Sequence, residues 1–142
     1  MPQRGTPASA SATRAATPGM KNTNAATRKL ANGKYNRIKG HTFEREIAAL
    51  FCDALGDPTI RRTLQTRGAA EDGADVVADP FWIECKRQKK PRIVAALEQS
   101  ERDCPKGWMP VAITKANREP AIVSLRLTDF LDLVKEWRER AN

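Results

Sequence analysis

An α/β domain with a mixed central sheet flanked by helices is predicted by three features of the chain. Apolar residues recur at helical spacing around Phe43–Leu55 and again around Pro91–Cys104 and Phe130–Trp137. Short β-rich runs lie between these stretches, at Asp75–Ala78, Phe81–Lys86, Met109–Thr114 and Ala121–Leu127. Helical and strand patterns thus alternate, which is the signature of a sheet covered by helices.

Each element has a local reason. Phe43, Ile47, Leu50, Phe51, Ala54 and Leu55 form the first helical stripe, with Thr42 as its expected cap and Gly56 as its stop. Glu44 lies about 60° from the centre of that stripe, so it borders the packing face, while Arg45 falls on the far side. Thr59–Gln65 reads as a strand of β-branched and basic residues, and Gly68–Gly73 as a flexible turn. Asp79-Pro80 marks a tight turn between two strands. In the second of them Phe81, Ile83 and Cys85 share one face, and Trp82, Glu84 and Lys86 the other. Pro91 suits a first helical turn, and Ile93, Val94, Ala96, Leu97 and Cys104 are the expected inner side. Thr128 opens the terminal helix, which carries Phe130, Leu131, Val134 and Trp137.

Composition narrows the function classes. The chain of 142 residues is long enough for one domain with a real core. No apolar run reaches membrane-spanning length and the N-terminus carries no signal-peptide core, so a cytoplasmic protein is expected, nucleoid-associated or in the host cytoplasm if viral. Cys52, Cys85 and Cys104 form no C-x-x-C pair, and His41 is the single histidine; a disulfide framework, a cysteine zinc site and a Ser-His-Asp triad are all disfavoured. The net charge of +8 resides entirely in residues 1–39, which hold eight basic residues and no acid. Such a segment attracts polyanions, nucleic acid foremost. Met1 to about Gly33 has only Met20 and Leu30 as large apolar residues after the initiator, too few to offset ordering entropy, so disorder is expected there.

Chemistry concentrates in Gly73-Ala74-Asp75 and Phe81-Trp82-Ile83-Glu84-Cys85-Lys86. Two carboxylates and an amine on one sheet face can hold a hard divalent cation beside an attacking water, which is the requirement of phosphodiester hydrolysis. Asp75 and Glu84 are candidate ligands, with the backbone carbonyl of Cys85 between Glu84 and Lys86 as a third. Lys86 would position or deprotonate the water and stabilise the developing oxyanion. Glu44 would hold an outer-shell water or a second metal. On its own, E-x-K is more often a solvated ion pair across a strand face. Arg62 and Arg67, in the run Arg61 to Gly68, are candidate phosphate contacts, set against the blander reading of a charged edge strand. Arg87, Lys89 and Lys90 form a second basic run beside the acids.

Lys39-Gly40-His41-Thr42-Phe43-Glu44-Arg45-Glu46, followed by Asp75 and then Glu84-Cys85-Lys86, resembles the archaeal-type Holliday-junction resolvases of the PD-(D/E)xK nuclease superfamily. The resemblance covers roughly Lys39 to Asp103. It implies a restriction-endonuclease-like core and so a nuclease domain over 35–142, behind the disordered basic tail over 1–34 that composition predicts. By position it implies that Glu44, Asp75, Glu84 and Lys86 are catalytic, that Arg45 contacts the DNA backbone, and that Gln99 supports the active site. It further implies Mg2+, with Mn2+ as substitute, and a homodimer acting on branched DNA. Ala74 stands where the superfamily usually has proline, the Asp-to-Glu spacing is short, and the basic tail lies outside the family pattern. The alternatives are a general, flap- or nick-directed nuclease, or a non-catalytic DNA-binding protein with the same fold.

Overall fold

The computed structural model describes residues 23–63 and 73–142. Helix α1 (Thr23–Leu55) is followed by β1 (Val76–Ala78), β2 (Phe81–Arg87), α2 (Ile93–Asp103), β3 (Met109–Lys115), β4 (Ile122–Ser124) and α3 (Leu127–Ala141). The four strands form one mixed sheet in the order β1-β2-β3-β4. This is the predicted α/β architecture, consistent with a restriction-endonuclease-like core.

The β2–α2–β3 unit is the centre of the sheet. β2 and β3 run parallel, with Glu84 opposite Ala112 and Lys86 opposite Thr114, while β1 and β4 are antiparallel edges. Parallel neighbours require a crossover, and α2 supplies it. Phe43, Ile47 and Ala48 of α1 pack with Val76, Ala78, Ile83, Cys85, Val111 and Ile113 on one side of the sheet. Ala96 and Leu97 of α2 meet Ala112 on the other, where the Ser100 hydroxyl also donates to the Trp82 carbonyl at 2.9 Å. The alternation expected for β2 is therefore what divides the two layers. The close approach of β1 to α2 needs Gly73, since a Cβ there would lie 2.6 Å from Asp103 Cβ.

Several expectations are corrected. α1 starts at Thr23, so Thr42 is a mid-helix residue whose hydroxyl donates to the Ile38 carbonyl, and not a cap. The stretch Thr23–Gly33, expected to be disordered, is helical: Ala25, Ala26, Arg28, Lys29, Leu30 and Ala31 are good helix formers, and a helix nucleated at its packed end propagates at little expense. The helix does stop at Gly56, which has φ +66°. Leu50 and Leu55, placed in the buried stripe of α1, are exposed. Thr59–Thr63 forms no strand but one antiparallel bridge, Arg62 to Val76. Residues 64–65 of that expected strand, and the turn up to 72, lie outside the described residues. α2 begins at Ile93 with Arg92 as N-cap, so its inner side is Ala96, Leu97 and Ser100; Ile93 and Val94 face solvent and Cys104 is half-buried. The expected strand Ala121–Leu127 is shortened to Ile122–Ser124 because Leu127 already belongs to α3. Among the described residues no helix is long and apolar enough to cross a membrane.

Candidate active site

The carboxyl ends of β2 and β3 open onto a cavity of about 650 Å³. Its walls come from α1 (Tyr35, Asn36, Arg37, Lys39, Gly40, His41, Glu44), from Asp75, from the end of β2 and the loop after it (Cys85 to Lys89), and from Asn117. Ligand sites commonly lie beyond the carboxyl ends of parallel strands, where the chain leaves the sheet.

Asp75 sits one residue before β1, where the pairing with β2 stops at Val76 and Ile83. Its Oδ2 accepts the Cys85 N–H at 2.8 Å. The N–H and C=O of one strand residue point to the same edge. The Cys85 carbonyl therefore faces the same open edge as Asp75. Glu84 is 2 % exposed and does not line the cavity itself: its Oε1 is 2.5 Å from Lys86 Nζ, and Lys86 reaches the cavity wall. The sequence-based placement of Glu84 and Lys86 on one face is thus correct.

The electrostatics follow from burial. Desolvation pushes Glu84 up to about 7, the neighbouring Asp75 charge adds to this, and Lys86 opposes it. Asp75 is raised chiefly by burial, against the Cys85 hydrogen bond. Burial alone would lower the Lys86 ammonium, yet the hydrogen bond and charge of Glu84, with Asp75, hold it above the usual lysine range. Lys86 is accordingly held in its charged form beside Glu84. The Cys85 thiol is pushed up by burial and the surrounding acids, so it is inert.

Glu44 projects from α1 toward the same place, half-buried, but its carboxylate is bonded by Arg62. Arg62, expected to track phosphate, is thus turned inward onto an acid. Lys39 Nζ bonds Asn117 Oδ1, closing the cavity across α1 and the β3–β4 turn. Among the described residues, no three His, Cys, Asp or Glu side chains close on one point. Asp75, Glu84 and the Cys85 carbonyl are oxygen groups of the kind a hard divalent cation takes, so the residues present fit such an ion. The acids also carry negative charge that a single lysine does not offset.

The other expected site residues divide. Arg87 and Lys89 line the cavity, and Arg87 Nε is buried without a hydrogen-bond partner among the described residues. Arg87 also lies 3.8 Å from Glu46. Arg45 and Lys90 are exposed and not on the cavity wall. Gln99 is half-buried on α2, which contributes nothing to that wall. Arg67 lies outside the described residues. Trp82 is 5 % exposed and packs edge-to-face on Trp108, with ring centroids 6.0 Å apart, so it is core and not a stacking platform. Tyr35, Asn36, Gln88 and Asn117 were missed. Asn117 had one available signal: it follows the carboxyl end of a strand parallel to β2.

Residues 35–140 match the profile of a family described as "phage putative PDDEXK endonuclease". The match and the α/β fold place the chain in the PD-(D/E)xK superfamily. The chain belongs to that phage endonuclease family. No curated protein and no solved structure matches it.

Proposed function

We propose that the protein is a Mg2+-dependent DNA endonuclease that cuts branched DNA, a Holliday junction foremost, as a homodimer. The observation that carries the hydrolytic reading is the convergence of buried Asp75 and Glu84 with a charged Lys86 at one end of a basic-walled cavity. A pure binding module gains nothing from anionic groups that face phosphate. Asp75 and Glu84, with the Cys85 carbonyl, would hold Mg2+ (or Mn2+), whose chemistry is to lower the pKa of bound water and offset phosphate charge. Lys86, held as a cation, hydrogen-bonds the non-bridging oxygen on which charge accumulates as the hydroxide attacks. Arg62 fixes Glu44 at the cavity wall, where it orients an outer-shell water. Hydrolysis would leave 5′-phosphate and 3′-hydroxyl ends.

The cavity sits beside an exposed basic helix. Thr27 to Ile38 is exposed and carries Arg28, Lys29, Lys34 and Arg37 without an acid. At 1.5 Å per residue the whole of α1 spans about 50 Å, so its outer half extends well beyond its packed residues Phe43, Ile47 and Ala48. That half would run along the DNA backbone, adding salt-dependent affinity without sequence preference.

The test is incubation of a four-way junction, a flap and a linear duplex with Mg2+ or EDTA, using the native chain, Asp75→Ala and Lys86→Ala. Paired symmetric nicks confined to the junction are expected, abolished by EDTA and by both substitutions. Equal cutting of all three substrates would make it a general nuclease. Binding without Mg2+-dependent cutting would leave only a DNA-binding protein.

A further inference from the structure

The terminal helix is the most anomalous surface of the molecule. None of its residues is buried, and its described ion-pair link to the body is Arg126, its N-cap, bonded to Glu101 at 2.6 and 2.7 Å. Yet Leu127, Phe130, Leu131, Val134 and Trp137 lie along it, between 39 % and 72 % exposed. At about 100° per residue these five form one stripe, and Asp132, Glu136 and Glu139 fall on the opposite side. A 15-residue helix without a packed face is marginal in water. A partner covering the stripe would stabilise it.

The chain's own undescribed residues are poor candidates. Residues 1–22 and 64–72 contain Met1, Met20 and Leu64 as their only large apolar side chains. The stripe instead reads alike from both ends. Leu127 and Trp137 lie five residues either side of Asp132, and Phe130 and Val134 two. Two copies of α3 running antiparallel about a two-fold axis would place Leu127 against Trp137 and Phe130 against Val134 of the other copy. Such self-complementarity is what an isologous interface needs.

The area is sufficient. The five side chains, with Ile122 or Val123 of the adjoining edge strand, offer on the order of 600 Å² per copy, or roughly 1,200 Å² for a pair, above the ~1,000 Å² expected of a specific interface. We infer that the exposed face of α3 is a homodimer interface in which two copies of the helix pack antiparallel. This gives the homodimer of the proposed function a location; only its consequence for paired cutting rests on the nuclease reading.

The test is sedimentation equilibrium of the full chain at micromolar concentrations, with Trp137→Glu and Leu131→Glu beside it. The native chain is expected at twice the chain mass. Both variants are expected at the single-chain mass with unchanged far-ultraviolet circular dichroism, the dimer dissociation constant rising at least about tenfold. On dilution the native tryptophan emission should shift to the red as Trp137 is uncovered, and Trp137→Phe should remove that shift. A monomeric native chain, variants that remain dimeric, or a native chain that stays monomeric but binds anionic vesicles would each overturn the inference. Metal-dependent cutting is scored separately: monomeric variants should give single nicks in place of paired cuts. A chain that dimerises through α3 but cuts nothing would leave the interface standing and remove the nuclease reading.

Discussion

In the middle of β2 the residue Glu84 is 2 % exposed, whereas on α3 Trp137 is 72 % exposed. Charged groups belong in water and large aromatic rings out of it, so each residue sits where elementary solvation disfavours it. The two regions differ in how the disfavoured group is compensated. Glu84 is compensated in part within the chain, by Lys86, and its raised pKa measures what remains uncompensated. Trp137 has no compensation from the body of the protein. The first pattern suits the small cation proposed for the site; the second suits the second copy inferred to pack on α3. Experiments that move charge at the first place should change chemistry and leave assembly alone, and the reverse should hold at the second.

The largest separation should come from Glu84→Gln, which keeps the shape and removes the charge. Metal-dependent cutting should fall by about 10²–10⁴-fold, the scale of losing a group that organises charge at the reacting centre. In EDTA above neutral pH the same variant should resist urea as well as or better than the native chain, because a buried anion has been removed. A variant that lost stability as well as activity would show Glu84 to be compensated in full by Lys86, and the contrast with Trp137 would fail.

The pH dependence sharpens the same point. Glu84 is raised from 4.5 to about 7 in the folded chain, and Asp75 is raised too. Between these values the folded state binds more protons than the unfolded one, so stability falls as pH rises. With about 1.4 kcal/mol per pH unit, the metal-free protein should lose up to about 3 kcal/mol between pH 5 and pH 8. Urea titrations in EDTA check this. Mg2+ should restore most of the loss at pH 8 and little at pH 5, since a cation binds the acids only in their charged form. The mass measured at micromolar concentration should not follow this pH course.

A smaller effect is expected at Arg62. Its guanidinium bonds Glu44 where both side chains are largely covered, at 16 % and 12 % exposure. Arg62→Ala leaves that acid unpaired and should lower stability by roughly 1–2 kcal/mol in urea titration. Arg62→Lys should recover part of this, since a lysine offers a point charge in place of a planar fork. Equal binding defects in both variants, without a stability change, would return Arg62 to the phosphate-contact role expected from sequence.

Much of the site was legible because strand geometry is simple. Two-residue spacing alone puts Glu84 and Lys86 together, and the helical angle of Glu44 places it at the border of the packed face. The contact of Arg62 with Glu44 was not legible because a basic residue in an otherwise polar run carries no mark of the acid it will meet; it joins residues 18 apart in sequence. The cavity wall was largely invisible for the same reason: Lys39 and Asn117 are brought together across 78 residues. In α2 the two β-branched residues Ile93 and Val94 looked like core, and Ser100 did not. The structure reverses this because the serine hydroxyl finds the Trp82 carbonyl, which removes the cost of burying it. For Trp137 periodicity cannot choose between core and interface, since both ask for the same apolar stripe.

The smallest effect separates two readings of one residue. If Thr42 capped a helix, Thr42→Ala would cost about 1 kcal/mol, because the first turn would lose a hydrogen-bond acceptor for its free N–H groups. In the structure Thr42 is exposed within a continuous helix, and its hydroxyl donates to the Ile38 carbonyl at 2.9 Å. That carbonyl already accepts from the helix ladder, so the side-chain bond satisfies nothing otherwise orphaned. Alanine is also the better helix former, by up to about 0.7 kcal/mol. Thr42→Ala should therefore leave urea stability unchanged or raise it by a few tenths of a kcal/mol. A loss near 1 kcal/mol would mean that the helix starts at Thr42 in solution. The basic outer half of α1 would then be a separate segment and not a rigid extension of the cavity wall, and its contribution to DNA affinity would come from charge alone.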